Sequence, residues 1–316
     1  MLILLRIDWT EFLVTIKTVD LFWIISSIFM QAIALLVTTW RWQLIMHHLD
    51  VRVSYGRSLI HQLIGTGMAM ITPGQLGEFI KVVYHRGMGF PGPESALSIV
   101  IDRLFDFGML CFFGLISVVF LFGLPTIYIV ILAIIMMLGL LVVAYYLRDK
   151  EHNAHRLALI LTRVGPKAYK EMIQRNIERL VMKVTSMNLK LILACLLLSF
   201  VNYSLLLLKV YLLAFSVHMQ VEFWYFAACV PLFRLVGLIP ISISGIGTRD
   251  ALIIYMLSRV GISPESSLML SLLSLATLEL QALIGVLFWW RYPPSQVNDV
   301  DATAEDSEVS GVRLEP

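Results

Sequence analysis

Residues 71–78 read ITPGQLGE, and residues 240–250 read PISISGIGTRD. Both stretches interrupt apolar sequence with glycine and proline, and both carry charged residues. When Gly74 is laid over Gly245, the glutamate of the first stretch stands opposite the arginine of the second. Breaks at corresponding positions of two halves occur in many membrane transport proteins, where unwound backbone lines a site at mid-membrane depth. The pattern therefore predicts an internal repeat with two broken, re-entrant segments.

The composition indicates a membrane protein. Of the 316 residues, 59% are hydrophobic and only 15% are charged, whereas about a quarter of the residues of a soluble protein are charged. Five apolar runs reach the ~20 residues that a membrane-spanning helix needs. The predicted fold is all-α, a polytopic transmembrane helix bundle. The runs are 21–40, 96–122, 124–147, 189–215 and 264–290.

The distribution of charge predicts the topology. Between Arg148 and Lys183 the chain has nine Lys or Arg and four Asp or Glu, so we expect the loop 148–188 in the cytoplasm. Basic residues on both sides of residues 58–77 are then also cytoplasmic. This favours a re-entrant unit over residues 58–86, and a short helix with a proline kink is the alternative. The basic residues expected on the cytoplasmic side are Arg41, Arg52, Arg57, Lys81, His85 and Arg86.

Three segments follow from these patterns. We expect residues 1–20 to form a short N-terminal segment, residues 21–290 the transmembrane domain, and residues 291–316 an acidic, disordered tail. In the cytoplasmic loop, apolar residues recur at three- and four-residue spacing from residue 173 to residue 184. This spacing is compatible with an amphipathic helix on anionic headgroups and with a solvated connector.

Several ionisable residues lie within apolar sequence, where a charge at the bilayer centre costs at least ~2.5–3.5 kcal/mol. Asp102 and Asp106 are four residues apart and share a helix face, with Arg103 turned about 100° away. One interpretation is an ion-pair network that only fixes helix packing. The other is a phosphate-headgroup site, in which Arg249 and Arg103 contact phosphate and the broken segments add half-helix N-termini. The remaining membrane charges are Lys209, Arg234, Asp250 and Glu279.

The second interpretation gives a set of candidate substrate-binding residues. Glu78 and Asp250 are expected to pair with the arginines or to contact a cationic headgroup, and Asp102 and Asp106 to orient the arginines. The full set is Thr72, Pro73, Gly74, Gly77, Glu78, Asp102, Arg103, Asp106, Arg234, Ser244, Gly245, Gly247, Arg249 and Asp250.

Motifs for other chemistries do not occur in the sequence. It has no Walker loop, Rossmann glycine fingerprint, HExxH or GxSxG motif, so we expect no cofactor and no catalytic residue. The three cysteines form no metal-binding or disulfide pattern and are expected as small buried residues. His47, His48 and His61 are expected at the membrane interface and not as metal ligands.

The chain resembles the lysylphosphatidylglycerol synthase/flippase transmembrane region family, also described as flippase-like domain proteins. The resemblance rests on Arg41-Trp42 closing a helix, on residues 72–78, on Asp102-Arg103-Leu104 and on residues 239–250, in the family's order and spacing. It covers roughly residues 21–290. The resemblance implies a multi-pass protein of the cell (inner) membrane that moves or handles lipids with bulky polar headgroups. Aminoacyl-phosphatidylglycerol is the best-known example, and polyprenyl-linked and hopanoid lipids are others.

The chain departs from the family pattern in three places. Relatives usually begin with a further transmembrane helix, which here is missing or reduced to residues 2–19. The cytosolic aminoacyl-transferase domain is absent, so we do not expect the chain to synthesise a lysyl-lipid. Asp250 stands where a glutamate often follows the arginine of the second break.

Three functions are compatible with these features. The first is a lipid flippase that recognises an anionic headgroup. The second is a membrane-embedded glycosyltransferase or other transferase acting on a lipid phosphate, with Asp102, Asp106 or Glu78 as the base. The third is a non-catalytic partner of a cytosolic lipid-modifying enzyme. Expected partners are the bilayer, a lipid with an anionic headgroup, that enzyme and further copies of the chain, but no nucleic acid.

Overall fold

The computed structural model describes residues 9–121, 123, 179–237 and 247–293. Within these ranges every regular element is helical and no strand occurs. The elements are α1 (Trp9–Thr18), α2 (Leu21–His48), α3 (Tyr55–Ile71), a 3₁₀ helix (Pro73–Phe79), α4 (Ile80–Gly87), α5 (Gly92–Leu121), α6 (Leu189–Ser216), α7 (Phe223–Gly237), α8 (Thr248–Ser258) and α9 (Pro264–Arg291).

Four of the described helices are long and apolar enough to cross a membrane, namely α2, α5, α6 and α9. Only 17% to 28% of their most apolar windows is buried within the protein. The remaining side chains are largely exposed leucine, phenylalanine and tryptophan, such as Trp290 at 80% exposure, which lipid can cover. These helices confirm the all-α, polytopic prediction. The expected span at 124–147, the loop up to residue 178 and the tail after residue 293 lie outside the described residues.

The chain divides into two compact units. The first unit comprises residues 1–41 and 103–277, and the second comprises residues 42–102 and 278–316. The apolar core of the first unit joins side chains of α6, α7, α8 and the beginning of α9. Its fully buried members include Leu213, Cys229 and Leu257, so these short helices are held by packing and not by their own propensity.

The first break forms a tight helical hairpin within the second unit. Thr72 lies in extended backbone between α3 and the 3₁₀ helix, and its hydroxyl accepts the Gly77 N–H at 2.6 Å while donating to the Met68 carbonyl at 3.0 Å. Helix α4 then returns along α3, because Lys81 bonds to Gln62. The predicted interruption of the helix after residue 71 is therefore present. Its entry into the membrane from one side, and its repeat relation to the second break, stay predictions.

Two glycines allow α3 to pack closely against the second half of α9. A Cβ atom on Gly67 would lie 2.7 Å from the Ala282 carbonyl oxygen and 2.8 Å from the Val286 nitrogen. A Cβ atom on Gly285 would overlap the Leu63 carbonyl. The two backbones are thus in direct contact, which is the packing that small residues allow between helices in a membrane.

Candidate functional site

A buried ion pair lies inside the hairpin of the second unit. The Lys81 ammonium is 2.6 Å from a Glu78 carboxylate oxygen and 2.7 Å from the Gln62 side-chain oxygen, and it sits 4.3 Å from the ring centroid of Trp42. The side chain of Lys81 is buried within the hairpin, with only 1% exposed, and its location on the cytoplasmic side stays a prediction. Glu78 pairs with this lysine, which is three residues away in the chain. The partner expected from the sequence was one of the arginines or a cationic headgroup.

Two histidines pack beside this ion pair. The His85 ring stacks on Trp42 at 5.5 Å, and its Nδ1 lies 3.1 Å from the Ser95 hydroxyl. His61 lies 4.9 Å from the Tyr84 ring and 5.3 Å from the His85 ring. Both histidines are buried within the protein, and the cytoplasmic side of His85 and the interfacial depth of His61 stay predictions. The dense internal contacts indicate a role in holding the hairpin together.

A second ion-pair cluster lies in the first unit. One nitrogen of Arg41 donates to Asp106 and to the Ser199 hydroxyl, each at 2.7 Å. Arg103 approaches the other Asp106 oxygen at 3.6 Å, and its side chain is 42% exposed. Helix α2 continues to His48 and the side chain of Arg41 is fully buried, and its location on the cytoplasmic side stays a prediction. Asp106 thus holds both arginines, and phosphate contact by Arg103 stays a prediction.

Helix α8 begins at the second break with a self-contained polar cluster. Gly247 has a φ of 95°, a conformation that side chains rarely adopt, and its N–H donates to the Asp250 carboxylate at 2.9 Å. The same carboxylate accepts the Ser271 hydroxyl and lies 3.3 Å from Arg249, which also donates to Ser271 at 3.1 Å. Asp250 therefore caps the helix and fixes the direction of Arg249. A substrate anion was predicted at this same helix N-terminus.

Lys209 is the residue that sequence reasoning left out of the site. It lies on α6 with 5% exposure, and within the described residues its ammonium has neither an ion pair nor a hydrogen bond. Arg234, which is exposed on α7, and Arg249 on α8 contribute a positive potential at its position. We call Lys209, Arg234 and Arg249 the basic group. No carboxylate occurs within one helical turn of Lys209 in the sequence, and that feature could have singled it out.

The candidate residues fall into three sets. Among the described residues there is no group of three or more side chains suited to bind a metal ion. Convergence of the two breaks on one substrate stays a prediction. The second unit contains Thr72, Pro73, Gly74, Gly77, Glu78 and Asp102, the first unit contains Arg103, Asp106, Arg234, Gly247, Arg249 and Asp250, and Ser244 and Gly245 lie outside the described residues.

Comparison with known proteins gives one match. The model of the family described as the lysylphosphatidylglycerol synthase transmembrane region matches residues 1–285. The match includes residues 1–20, which the sequence analysis set apart from the transmembrane domain, and in which α1 begins at Trp9. No curated protein and no solved structure matches the chain. The chain, a multi-pass helical membrane protein, belongs to the lysylphosphatidylglycerol synthase transmembrane region family.

Proposed function

We propose that the protein is a flippase-like transporter that moves a phosphate-bearing lipid across the cell (inner) membrane. The observation that carries the proposal is the basic group. Lys209 is buried among apolar helices without a counter-ion in the described part of the chain, and two arginines act on it electrostatically. An uncompensated charge in such a place is costly. An anionic headgroup between these side chains would supply the missing negative charge.

Phosphate fits the donors of the basic group. A guanidinium binds phosphate oxygens through two parallel hydrogen bonds, and an ammonium binds them as a point charge. Asp250 and Ser271 hold Arg249 in a fixed direction, so little conformational freedom remains to be lost on binding. The apolar surface of the long helices can accommodate the tail of the lipid while its headgroup contacts the basic group.

The transferase alternative has weaker support. It needs a carboxylate that can take up a proton from the substrate. Of the three carboxylates offered for this role, Glu78 lies 2.6 Å from the Lys81 ammonium and Asp106 lies 2.7 Å from Arg41. A carboxylate that is held by a cation is stabilised in its charged form and is a poor base. The alternative of docking a cytosolic enzyme rests on the loop 148–188, most of which lies outside the described residues.

The proposal can be tested with purified protein in liposomes. A lipid phosphate is added to the outer leaflet, and an impermeant phosphatase then reports how much lipid has become protected inside. We expect the protein to accelerate protection over protein-free liposomes, and Arg249→Ala to lose about tenfold or more of this rate, as for the loss of one charge-assisted hydrogen bond. Asp250 keeps its Ser271 and Gly247 partners in this variant, so the protein should still fold.

The same liposomes distinguish the alternatives. A chemically modified lipid product would support the transferase and contradict the proposal. Absence of acceleration with any phosphate lipid would contradict transport. If Arg249→Ala fails to accumulate, the arginine serves the ion-pair network of the fold. In that case Arg249→Lys, which keeps the charge but not the planar fork, should restore folding and leave the rate low.

A further inference from the structure

We infer that Arg234 faces a water-filled crevice in the membrane-embedded part of the first unit, and that the phosphate headgroup enters the site through this crevice. The crevice follows from the exposure and the depth of one arginine on α7, and it does not depend on the proposed function. The entry of a headgroup rests on the proposed function, because it names the route to the same site.

Helix α7 is an inner helix of the first unit. Many of its side chains are buried, and they belong to Phe226, Ala228, Cys229, Val230, Pro231 and Phe233. Between Tyr225 and Gly237, Arg234 is the one exposed residue. The long helices that lipid can cover expose leucine and phenylalanine instead, such as Leu197 and Phe200 on α6. Where α7 reaches the surface of the protein, it therefore presents a cation and not an apolar side chain.

Arg234 lies deep in the membrane-embedded part of the unit. The hydroxyl of Tyr225, near the start of α7, donates to a carbonyl of α8 at 2.6 Å, and this tyrosine lines a pocket with Leu121 and Arg259. The start of α7 and the ends of α5 and α8 therefore share one level, at which Glu222 and Arg259 are exposed and mark the water-facing surface. Arg234 follows Tyr225 by nine residues, so it lies about 13 Å further along the helix, near the middle of a ~30 Å hydrocarbon core.

This depth excludes the ordinary explanations of an exposed arginine. A distance of about 13 Å exceeds the reach of an extended arginine side chain, so the guanidinium cannot lie in the headgroup layer by snorkelling. Within the described residues, Arg234 forms neither an ion pair nor a hydrogen bond. Contact of its charge with hydrocarbon is costly, and ionisable residues of membrane segments face protein or a water-filled cavity instead. Because Arg234 is exposed, we assign it to water.

The crevice leads to the arginine of the second break. Gly237 follows Arg234 by three residues, on the same face of α7, and a Cβ atom on this glycine would lie 3.7 Å from the Cδ atom of Arg249. An anion that enters beside Arg234 would thus meet a second guanidinium, which Asp250 and Ser271 hold in place. Guanidinium groups bind phosphate oxygens well. A lipid phosphate fits this route, because its headgroup can follow the polar crevice while its tail stays in lipid.

Thiol labelling of the full chain in lipid nanodiscs tests the crevice, since both membrane surfaces are then open to the reagent. Arg234→Cys and Gly237→Cys are made separately, each together with Cys111→Ala. The other two cysteines, Cys195 and Cys229, are buried. Labelling by sulfonatoethyl methanethiosulfonate, which is anionic and water-soluble, is compared with labelling by N-ethylmaleimide, which enters hydrocarbon.

The parent chain with its native Cys111 is the matched control. This cysteine is exposed on α5, with the exposed apolar residues Phe107 and Leu115 one turn away on either side, so lipid can cover it. It precedes Leu121 by ten residues and lies about 15 Å from the same surface, at nearly the depth of Arg234. We expect the two introduced thiols to react with the anionic reagent at least about tenfold faster than Cys111, because hydrocarbon excludes a charged reagent. N-ethylmaleimide should label all three thiols.

Protection of the thiol in Gly237→Cys tests the headgroup, because this variant keeps both arginines. Farnesyl phosphate, farnesol or inorganic phosphate is added at one concentration before the anionic reagent. We expect farnesyl phosphate to slow labelling several-fold and the other two to have little effect. The Cβ atom of this variant makes only an ordinary contact, so it should fold and carry the test even if Arg234→Cys fails to accumulate.

The outcomes separate the crevice from its occupant. Introduced thiols that react with the anionic reagent no faster than Cys111 would overturn the crevice and leave the proposed function standing. Fast labelling that farnesyl phosphate does not slow would overturn entry of the headgroup by this route, and the transport assay would still decide the proposed function. Equal protection by farnesol would show that the tail occupies the crevice, and equal protection by inorganic phosphate would show a free anion. Either result would overturn the assignment to a lipid headgroup.

Discussion

Replacing Lys209 by methionine should stabilise the protein and impair it at the same time. Helix α6 has 28 residues, so it is about 42 Å long and exceeds the ~30 Å hydrocarbon core. Lys209 lies about 10 Å from the helix midpoint, well inside that core if the helix is centred. A lysine costs ~2.5–3.5 kcal/mol at the bilayer centre. Because this lysine is off centre, we expect Lys209→Met to raise the free energy of unfolding by about 1–3 kcal/mol.

The assay is unfolding of the purified protein in mixed micelles, paired with lipid transport in liposomes. Methionine has a similar length and adapts to irregular gaps, so no cavity should offset the gain. The control, Lys190→Met, should change the free energy of unfolding by less than about 0.5 kcal/mol. A Lys209→Met variant that is less stable than the parent would show that the charge of Lys209 is compensated inside the protein. A more stable variant that transports normally would show that the basic group has no role in binding.

Three further predictions concern the second unit. Lys81→Met leaves Glu78 buried without its cation and should destabilise the protein by about 3–5 kcal/mol; adding Glu78→Gln should recover most of this loss in thermal unfolding. Gly285→Ala forces a Cβ into a neighbouring backbone carbonyl and should cost about 1–3 kcal/mol, and Gly285→Leu should lower accumulation in the membrane further. Cysteines at positions 52 and 86 should both be labelled from the cytoplasmic side by an impermeant reagent, and labelling from opposite sides would contradict a re-entrant hairpin.

The lengths of the apolar runs and the positions of the glycine and proline residues between them were sufficient to predict the helical architecture. The runs beginning near residues 21, 96, 189 and 264 became long helices, because a helix satisfies all the backbone hydrogen bonds of a single apolar segment in lipid. At residues 72–78 the chain reverses through a 3₁₀ helix. Thr72 bonds to the end of the preceding helix, and Gly77 lets the returning backbone approach that helix closely. These features depend on neighbouring residues, and a single sequence contains that information.

Ion-pair partners were harder to predict. Arg41 stands near the end of an apolar run, where cations usually mark the cytoplasmic surface, and its partner Asp106 lies 65 residues away in the chain. Only the tertiary fold reveals that pairing. Lys81 is different, because Glu78 precedes it by three residues and such pairs meet on a helix. That spacing was present in the sequence, but the lysine was considered only for topology, and its ion pair with Glu78 was not predicted.

The basic group shows the limit of motif reasoning. Arg249 belongs to a recognisable break, whereas Lys209 and Arg234 stand singly in apolar helices without any motif. The sequence shows that no carboxylate lies within one helical turn of Lys209, but whether another helix of the described part supplies one becomes visible only in the structure. The sequence therefore predicted an anion-binding role for the arginine of the second break, and the proposed function extends this role to Lys209.

The comparison of two lipids in one experiment tests the central claim most directly. One lipid carries a phosphate headgroup, the other carries a hydroxyl on the same tail, and both are added to the outer leaflet of liposomes that contain the protein. Extraction of the outer leaflet by acceptor vesicles then reports the movement of each lipid. We predict that the protein accelerates the phosphate lipid well beyond the neutral one, and that Lys209→Met removes the difference. Equal acceleration of both lipids, or no acceleration over protein-free liposomes, would contradict recognition of an anionic headgroup by the basic group.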